Sequence, residues 1–139
     1  MKWILLIVLS LSALQTFAAT NDNFNSYVKE AKQGHAIAQY NLGLMYAKGQ
    51  GVAQNHKEAL NWLRKAAEQG YAKAQNLLGG MYNHGIVVTQ NYKQAFDWYS
   101  KAAGQGDAEA QVNLGLMYAM GQGVSKDYKQ AFDWYSKAA

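Results

Sequence analysis

Leu42-Gly43-Leu44-Met45-Tyr46 recurs as Leu78-Gly79-Gly80-Met81-Tyr82 and again as Leu114-Gly115-Leu116-Met117-Tyr118, so the glycines at 43, 79 and 115 stand 36 residues apart. The same step carries Trp62 to Trp98 and Trp134, and Lys65-Ala66-Ala67 to Lys101-Ala102-Ala103 and Lys137-Ala138-Ala139. Residues 94–103 and 130–139 are identical, the mark of duplication within the gene. A fixed period of a few tens of residues means stacked supersecondary units, each of which can bury its apolar face only against its neighbours.

Each unit reads as two helices. Ala38, Leu42 and Met45 recur at helical spacing and place a first helix over about Ala36–Lys48, ended by Gly49, which reaches the left-handed region without a Cβ penalty. A second helix starts after Asn55, Asn91 or Asp127, all good N-cap side chains, and its apolar positions 56, 59, 60, 62, 63, 66 and 67 form a wide stripe for burial. Gly70 and Gly106 turn the chain into the next unit. The predicted fold class is therefore all-α, an α-solenoid of about three 36-residue antiparallel helix pairs, with units at 35–70, 71–106 and a truncated 107–139. Residues 20–34 read as a partial N-terminal helix, of which Val28–Gly34 matches the end of a preceding second helix. A glycine inside a helix costs about 1 kcal/mol relative to alanine. Its repetition at Gly43, Gly79 and Gly115 predicts close helix approach, with an aromatic such as Trp62 or Tyr99 over the bare backbone.

The first nineteen residues stand apart. Lys2 is followed by the apolar run from Trp3 to Leu9, weakening towards Leu14, and Thr16-Phe17-Ala18 supplies the small residues a signal peptidase needs. Ser10, Ser12, Gln15 and Thr16 interrupt the run before the roughly 20 apolar residues of a membrane span. Residues 1–19 are thus read as a cleaved signal peptide, with no membrane attachment after cleavage and a periplasmic or secreted destination. The chain has no cysteine, which excludes a bacterial lipid anchor and leaves apolar burial to stabilise the domain without disulfides. Beyond residue 19 there are 12 basic and 9 acidic side chains with no basic run, against the stripe expected of a nucleic-acid binder.

Ala36-x-Ala38-x3-Leu42-Gly43-x-Met45-Tyr46-x2-Gly49-x-Gly51-Val52, followed by Ala59-x2-Trp62-x2-Lys65-Ala66-Ala67-x2-Gly70, resembles the Sel-1-like repeat family, relatives of the tetratricopeptide repeats with a longer inter-helix loop. The resemblance covers Ala36–Ala139. It implies helix pairs stacked into a right-handed superhelix whose concave face binds proteins or peptides, in a family with exported bacterial members at the envelope or on host cells. Some exported members carry a disulfide in each unit, which this chain lacks the cysteine to form. The chain also departs at Val87, where the other units have Gly51 and Gly123. A β-branched residue resists positive φ, so the loop Gly85-Ile86-Val87-Val88 is predicted to take a different path. No polar capping helix follows the third unit, which allows self-association through that end.

No catalytic constellation, metal set or cofactor motif is found. His35, His56 and His84 have no ligand partner at helical spacing, Gly49-Gln50-Gly51-Val52 lacks the lysine of a phosphate loop, and Ser100 and Ser136 have no base beside them. Asp97 and Asp133 are copies of one position flanked by lysines four residues away, as in solvent-face ion pairs. A binding face is legible instead. Positions that differ between units on one face of the first helices are Ile37, Tyr40, Asn41, Leu44 and Lys48, then Lys73, Asn76, Leu77 and His84, then Glu109, Val112, Asn113 and Met120. Framework positions repeat because each meets the same neighbour, while this stripe is free to differ and, on the inner helices of a solenoid, lines the concave surface. The expected function is that of an exported protein–protein interaction module without cofactors, the alternative being a cell-wall enzyme or ligand-binding protein.

Overall fold

The computed structural model describes residues 2–139, with the side chains of 15, 16 and 19–139. Seven helices follow one another among these residues: α1 (Lys2–Lys32), α2 (Ala36–Lys48), α3 (His56–Glu68), α4 (Ala72–His84), α5 (Tyr92–Gly104), α6 (Ala108–Met120) and α7 (Tyr128–Ala138). Substantial contacts join only neighbours in chain order, with α2–α3, α4–α5 and α6–α7 pairing most extensively and α1 laid against α2. Three helical hairpins therefore stack in a line, as the repeat period requires.

The helix ends have the predicted chemistry. Asn55 Oδ1 accepts from the N–H groups of Lys57 and Glu58, Asn91 Oδ1 from Gln94 and Asp127 Oδ1 from Gln130, which satisfies amides that have no partner in the first turn. The first helices end at Gly49, Gly85 and Gly121, each left-handed with φ between 67° and 68°. Lys93–Asp97 and Lys129–Asp133 form the expected ion pairs, both at 3.7 Å. Lys101 and Lys137 do not join them: their ammonium groups lie 4.3 and 4.0 Å from the ring centres of Trp98 and Trp134.

Alanines from facing helices and one leucine per unit, Leu42, Leu78 and Leu114, make up most of the buried core. The helical glycines mark the closest approach. A Cβ on Gly79 would lie 2.5 Å from the Tyr99 ring, and one on Gly115 2.8 Å from Tyr135. In the first unit the covering side chain is Leu63, 2.8 Å from the corresponding point on Gly43, and not Trp62. Trp62 is one position further round α3 and half-buries itself against Ala31, Ala38 and Leu42; Trp98 and Trp134 pack in the same half-buried way on the next two clusters. A second device ties the units together. Buried Gln39, Gln75 and Gln111 each send Nε2 back to a carbonyl of the preceding helix, those of Ala31, Ala67 and Ala103, at 3.0 to 3.2 Å. Gln69 then donates to Gln39 Oε1 at 2.6 Å, and Gln105 to Gln75 Oε1 at 2.7 Å. Side chains and backbone are thereby linked from unit to unit.

The C-terminal part of α1 keeps the repeat register further than the residues Val28–Gly34 suggested. Phe24 meets Tyr46 edge-on at 5.6 Å, as Phe96, two periods later, meets Tyr118 at 5.4 Å. A Cβ on Gly51 would strike the Thr20 carbonyl, just as one on Gly123 would strike that of Tyr92. Residues 20–32 therefore act as the second helix of a degenerate preceding unit. The leader assigned to 1–19 falls mainly on side chains outside those described. At the opposite end Phe132, in the register of Phe24 and Phe96, is 69% exposed on α7.

The inter-helix loop of the second unit corrects the expectation drawn from Val87. Its path is that of the other two: Ile86 N–H donates to Met81 O as Gln50 does to Met45 O, and Asn91 N–H to Tyr82 O as Asn55 does to Tyr46 O. Val87 itself takes φ 64°, beside 69° and 70° for Gly51 and Gly123. The flanking hydrogen bonds impose the loop on a residue that resists it, a strain of about 1–3 kcal/mol.

The glycine seam predicts that Gly79→Ala destabilises the fold by about 2 kcal/mol through overpacking. Gly104→Ala, where nothing lies within 4 Å of the added carbon, should be neutral or gain up to about 1 kcal/mol. Urea unfolding midpoints of the two variants check this contrast.

Candidate binding groove across the first helices

The groove runs over the faces that α2, α4 and α6 share, a cavity of about 500 Å³ lined by Tyr40, Lys73, Asn76, Leu77, Gly80, His84, Tyr99, Asp107, Glu109 and Asn113. The stacking that aligns the units brings side chains one period apart side by side. Asn113, one residue beyond the register of Asn76, touches it across the α4–α6 boundary, Asn113 Nδ2 donating to Asn76 Oδ1 at 3.1 Å. That bond uses one acceptor and one donor and leaves the Asn76 amide N–H group and the Asn113 carbonyl oxygen open to the groove. Tyr40 stands at the α2 side, its ring edge-on to Tyr71 at 5.2 Å. Burial there raises its phenol pKa, with smaller contributions from Tyr71, Glu109 and Asp107.

Tyr99 reaches the groove from behind. Its ring lies on Gly79, and its hydroxyl passes Gly80, where an added Cβ would sit 3.6 Å from it. Leu44 and Leu116 occupy that register in the other units, and Tyr135 lies on Gly115 beside Leu116 as Tyr99 lies on Gly79, so what Gly80 changes is the space left open around the phenol and not its seat. Burial, reinforced by Glu109, pushes the Tyr99 pKa up to about 12. Asp107 is held at the rim by its capping bond from Ala110 N–H at 2.8 Å. Lys73, Asp107 and Glu109 all line the cavity, so the groove is polar and mixed in charge.

Seven of the thirteen residues singled out from the sequence line this cavity: Tyr40, Lys73, Asn76, Leu77, His84, Glu109 and Asn113. Asn41, Leu44 and Lys48 line a separate cleft of about 290 Å³ with Thr20, Asn23 and Tyr27 of α1. Met120 lines another of about 340 Å³ with Leu116, Gln122 and Tyr92, next to Asn83, whose buried Oδ1 has no hydrogen-bond partner among the described residues. Ile37 and Val112 stand exposed and line none of these clefts. Tyr99, Asp107 and Gly80 were not among the thirteen. The signal for Gly80 was its place in the variable register of Leu44 and Leu116, and that for Tyr99 its position opposite Gly79, whereas Asp107 reads in sequence only as a helix cap. Among the described residues no cluster of three or more His, Asp or Glu side chains could hold a metal ion, and no helix is long and apolar enough to cross a membrane.

The sequence pattern of the Sel1 repeat matches residues 36–71, 72–107 and 108–139. Among solved structures the chain is similar to a protective antigen present in uropathogenic Escherichia coli strains and displaying an SLR fold, at 41% identity and a TM-score of 0.80, over 83% of this chain and 25% of that one. It is similar also to a Sel1 repeat protein from Oxalobacter formigenes, at 39% identity and a TM-score of 0.81, over 86% of this chain and 49% of the other. The chain thus spans a quarter of the first relative and about half of the second. The Helicobacter pylori cysteine rich protein B shares the fold at 24% identity and a TM-score of 0.68, over 85% of this chain and 87% of that one. A search of curated proteins returns no match.

Tyr99 gives the groove a pH signature. Its folded pKa of about 12 lies above the ordinary 10.0, so between these values the folded state keeps a proton that the unfolded chain releases. Its contribution to stability is complete below about pH 10 and is lost as pH rises towards about 12. Tyr99→Phe should show a shallower loss of unfolding free energy over that interval than the parent protein, measured by urea titrations at a series of pH values.

Proposed function

The chain belongs to the Sel1 repeat family, whose modules generally serve protein interaction, and from that premise we propose that it holds an extended segment of a partner protein in the groove over α2, α4 and α6. The observation that carries this reading is the Asn76–Asn113 pair. Its remaining donor and acceptor are the complement of one peptide unit, whose C=O would take the Asn76 amide N–H and whose N–H would reach the Asn113 carbonyl oxygen. Tyr40 at one end and the Tyr99 hydroxyl behind add an aromatic wall and a further polar contact. A lining that includes Lys73, Asp107 and Glu109 suits a segment carrying charges of both signs.

We further propose that the protein works outside the cytoplasm. Support comes from the Lys2, apolar-run and Thr16-Phe17-Ala18 pattern, together with the repeat register of α1. Thr20 corresponds to His56, Tyr92 and Tyr128, the first residues of the second helices. Removal of residues 1–19 would leave a chain that begins where such a helix begins, with the packing of Phe24 and Thr20 intact.

Peptides selected on the purified protein from a randomised display library supply the test. Asn76→Ala together with Asn113→Ala should weaken a selected peptide by about tenfold or more, at about 1 kcal/mol per lost hydrogen bond, in calorimetric titrations. Equal affinity for the double variant overturns the groove assignment. For export, mass spectrometry of the protein recovered from a bacterial periplasm or medium should show an N-terminus at Ala19, Thr20 or Asn21; retention of Met1 or of Lys2–Leu14 overturns it.

A further inference from the structure

The stack repeats one cleft at each interface between units, where the first helix and loop of one unit meet the second helix of the unit before. At the first and third interfaces its walls include Asn41 or Asn113, Leu44 or Leu116, and Gln50 or Gln122. The middle interface replaces all of these at once with Leu77, Gly80 and Ile86, and places Val87 where the others have Gly51 and Gly123. Two polar side chains become apolar, and the leucine that would fill the space is reduced to glycine. The result is a pocket of about 390 Å³ that contains no lysine, arginine, aspartate or glutamate and is walled mainly by Leu63, Leu77, Met81, Ile86 and Val87.

Three further observations bear on what occupies it. Leu77, Gly80 and His84 line this pocket and the polar groove alike, so the two adjoin. The volume is near the lower end of the roughly 300–1,000 Å³ of ligand pockets, room for one large side chain and too little for a helix. Finally, Val87 is the one non-glycine residue at positive φ among those described, and Ile86 and Val87 are 55% and 45% exposed. Strain of this kind gathers at ligand-binding positions, where it is held by the surroundings.

We propose that the middle cleft is a specificity socket for a single uncharged side chain of leucine, methionine or phenylalanine size, carried by the segment that lies in the groove. This rests on the groove reading above and adds to it the residue class that the partner must present. A charged side chain would lose its hydration against walls that, apart from the imidazoles of His56 and His84, are apolar, while an apolar one adds buried area at the centre of the contact, where anchor residues concentrate binding energy.

The test is a double-mutant cycle between Gly80→Leu and the selected peptide. Gly80→Leu restores the residue of the other two units and fills the socket, and a Cβ there meets only the Tyr99 hydroxyl at 3.6 Å. Wild-type protein should select peptides with one invariant large apolar residue, whose replacement by alanine weakens binding about 10- to 100-fold. On the Gly80→Leu protein the parent peptide should bind no better than the alanine peptide does, with a urea midpoint equal to or above that of wild type. Val87→Gly, which relaxes the loop towards that of the neighbouring units, provides a second variant and should also reduce the apolar preference. If the alanine replacement weakens binding equally on both proteins, or if no apolar residue is selected, the socket is overturned and the groove stands. If neither protein selects any peptide, both readings fall.

Discussion

Close approach of paired helices across a bare stretch of backbone is what the architecture depends on. At Gly43, Gly79 and Gly115 the first helix of each unit carries no side chain, and Leu63, Tyr99 and Tyr135 occupy the space where a Cβ would be. The surrounding core is largely alanine, so little side-chain bulk separates the helices. Apolar burial of this kind is non-directional and would tolerate sliding. The buried glutamines remove that freedom, because an amide withdrawn from water must find its partner, and each finds it only in one register of the neighbouring unit.

Much of this was legible in the sequence, for a specific reason. A repeat presents the same local problem three times, and residues that solve it recur: the caps at Asn55, Asn91 and Asp127 and the left-handed Gly49 are at the predicted places. What failed was information held between chain segments. Trp62 and Leu63 are adjacent and both apolar, and only the rotation of α3 against α2 decides which of them covers Gly43. Val87 suggested a new loop path because propensity was weighed without the hydrogen bonds on either side, which impose the old one. The glutamine links were visible as invariant polar residues within an otherwise apolar or variable helix, but their partners lie eight and thirty residues away and could not be assigned from spacing.

The binding stripe divided in the same manner. Variation between units marks positions on one face of the first helices, some of which, Tyr40 and Leu77 among them, also pack on the core, and it does not say which neighbours converge. Asn76 and Asn113 meet, whereas Ile37 and Val112 on the same helical faces point away from the shared cavity. Variation also omits residues that reach the groove from the second helices, such as Tyr99. The similarity to longer bacterial solenoids fits a design in which individual units keep a common frame while each interface sets its own chemistry.

The Gln39–Ala31, Gln75–Ala67 and Gln111–Ala103 bonds have a kinetic and entropic corollary. With successive hairpins clamped by short polar links, the walls of the groove are set before any partner arrives. If the proposed groove holds a partner segment, ordering on association falls almost wholly on that segment, so stiffening it in its bound shape would tighten the complex more than any rigidifying change in the solenoid.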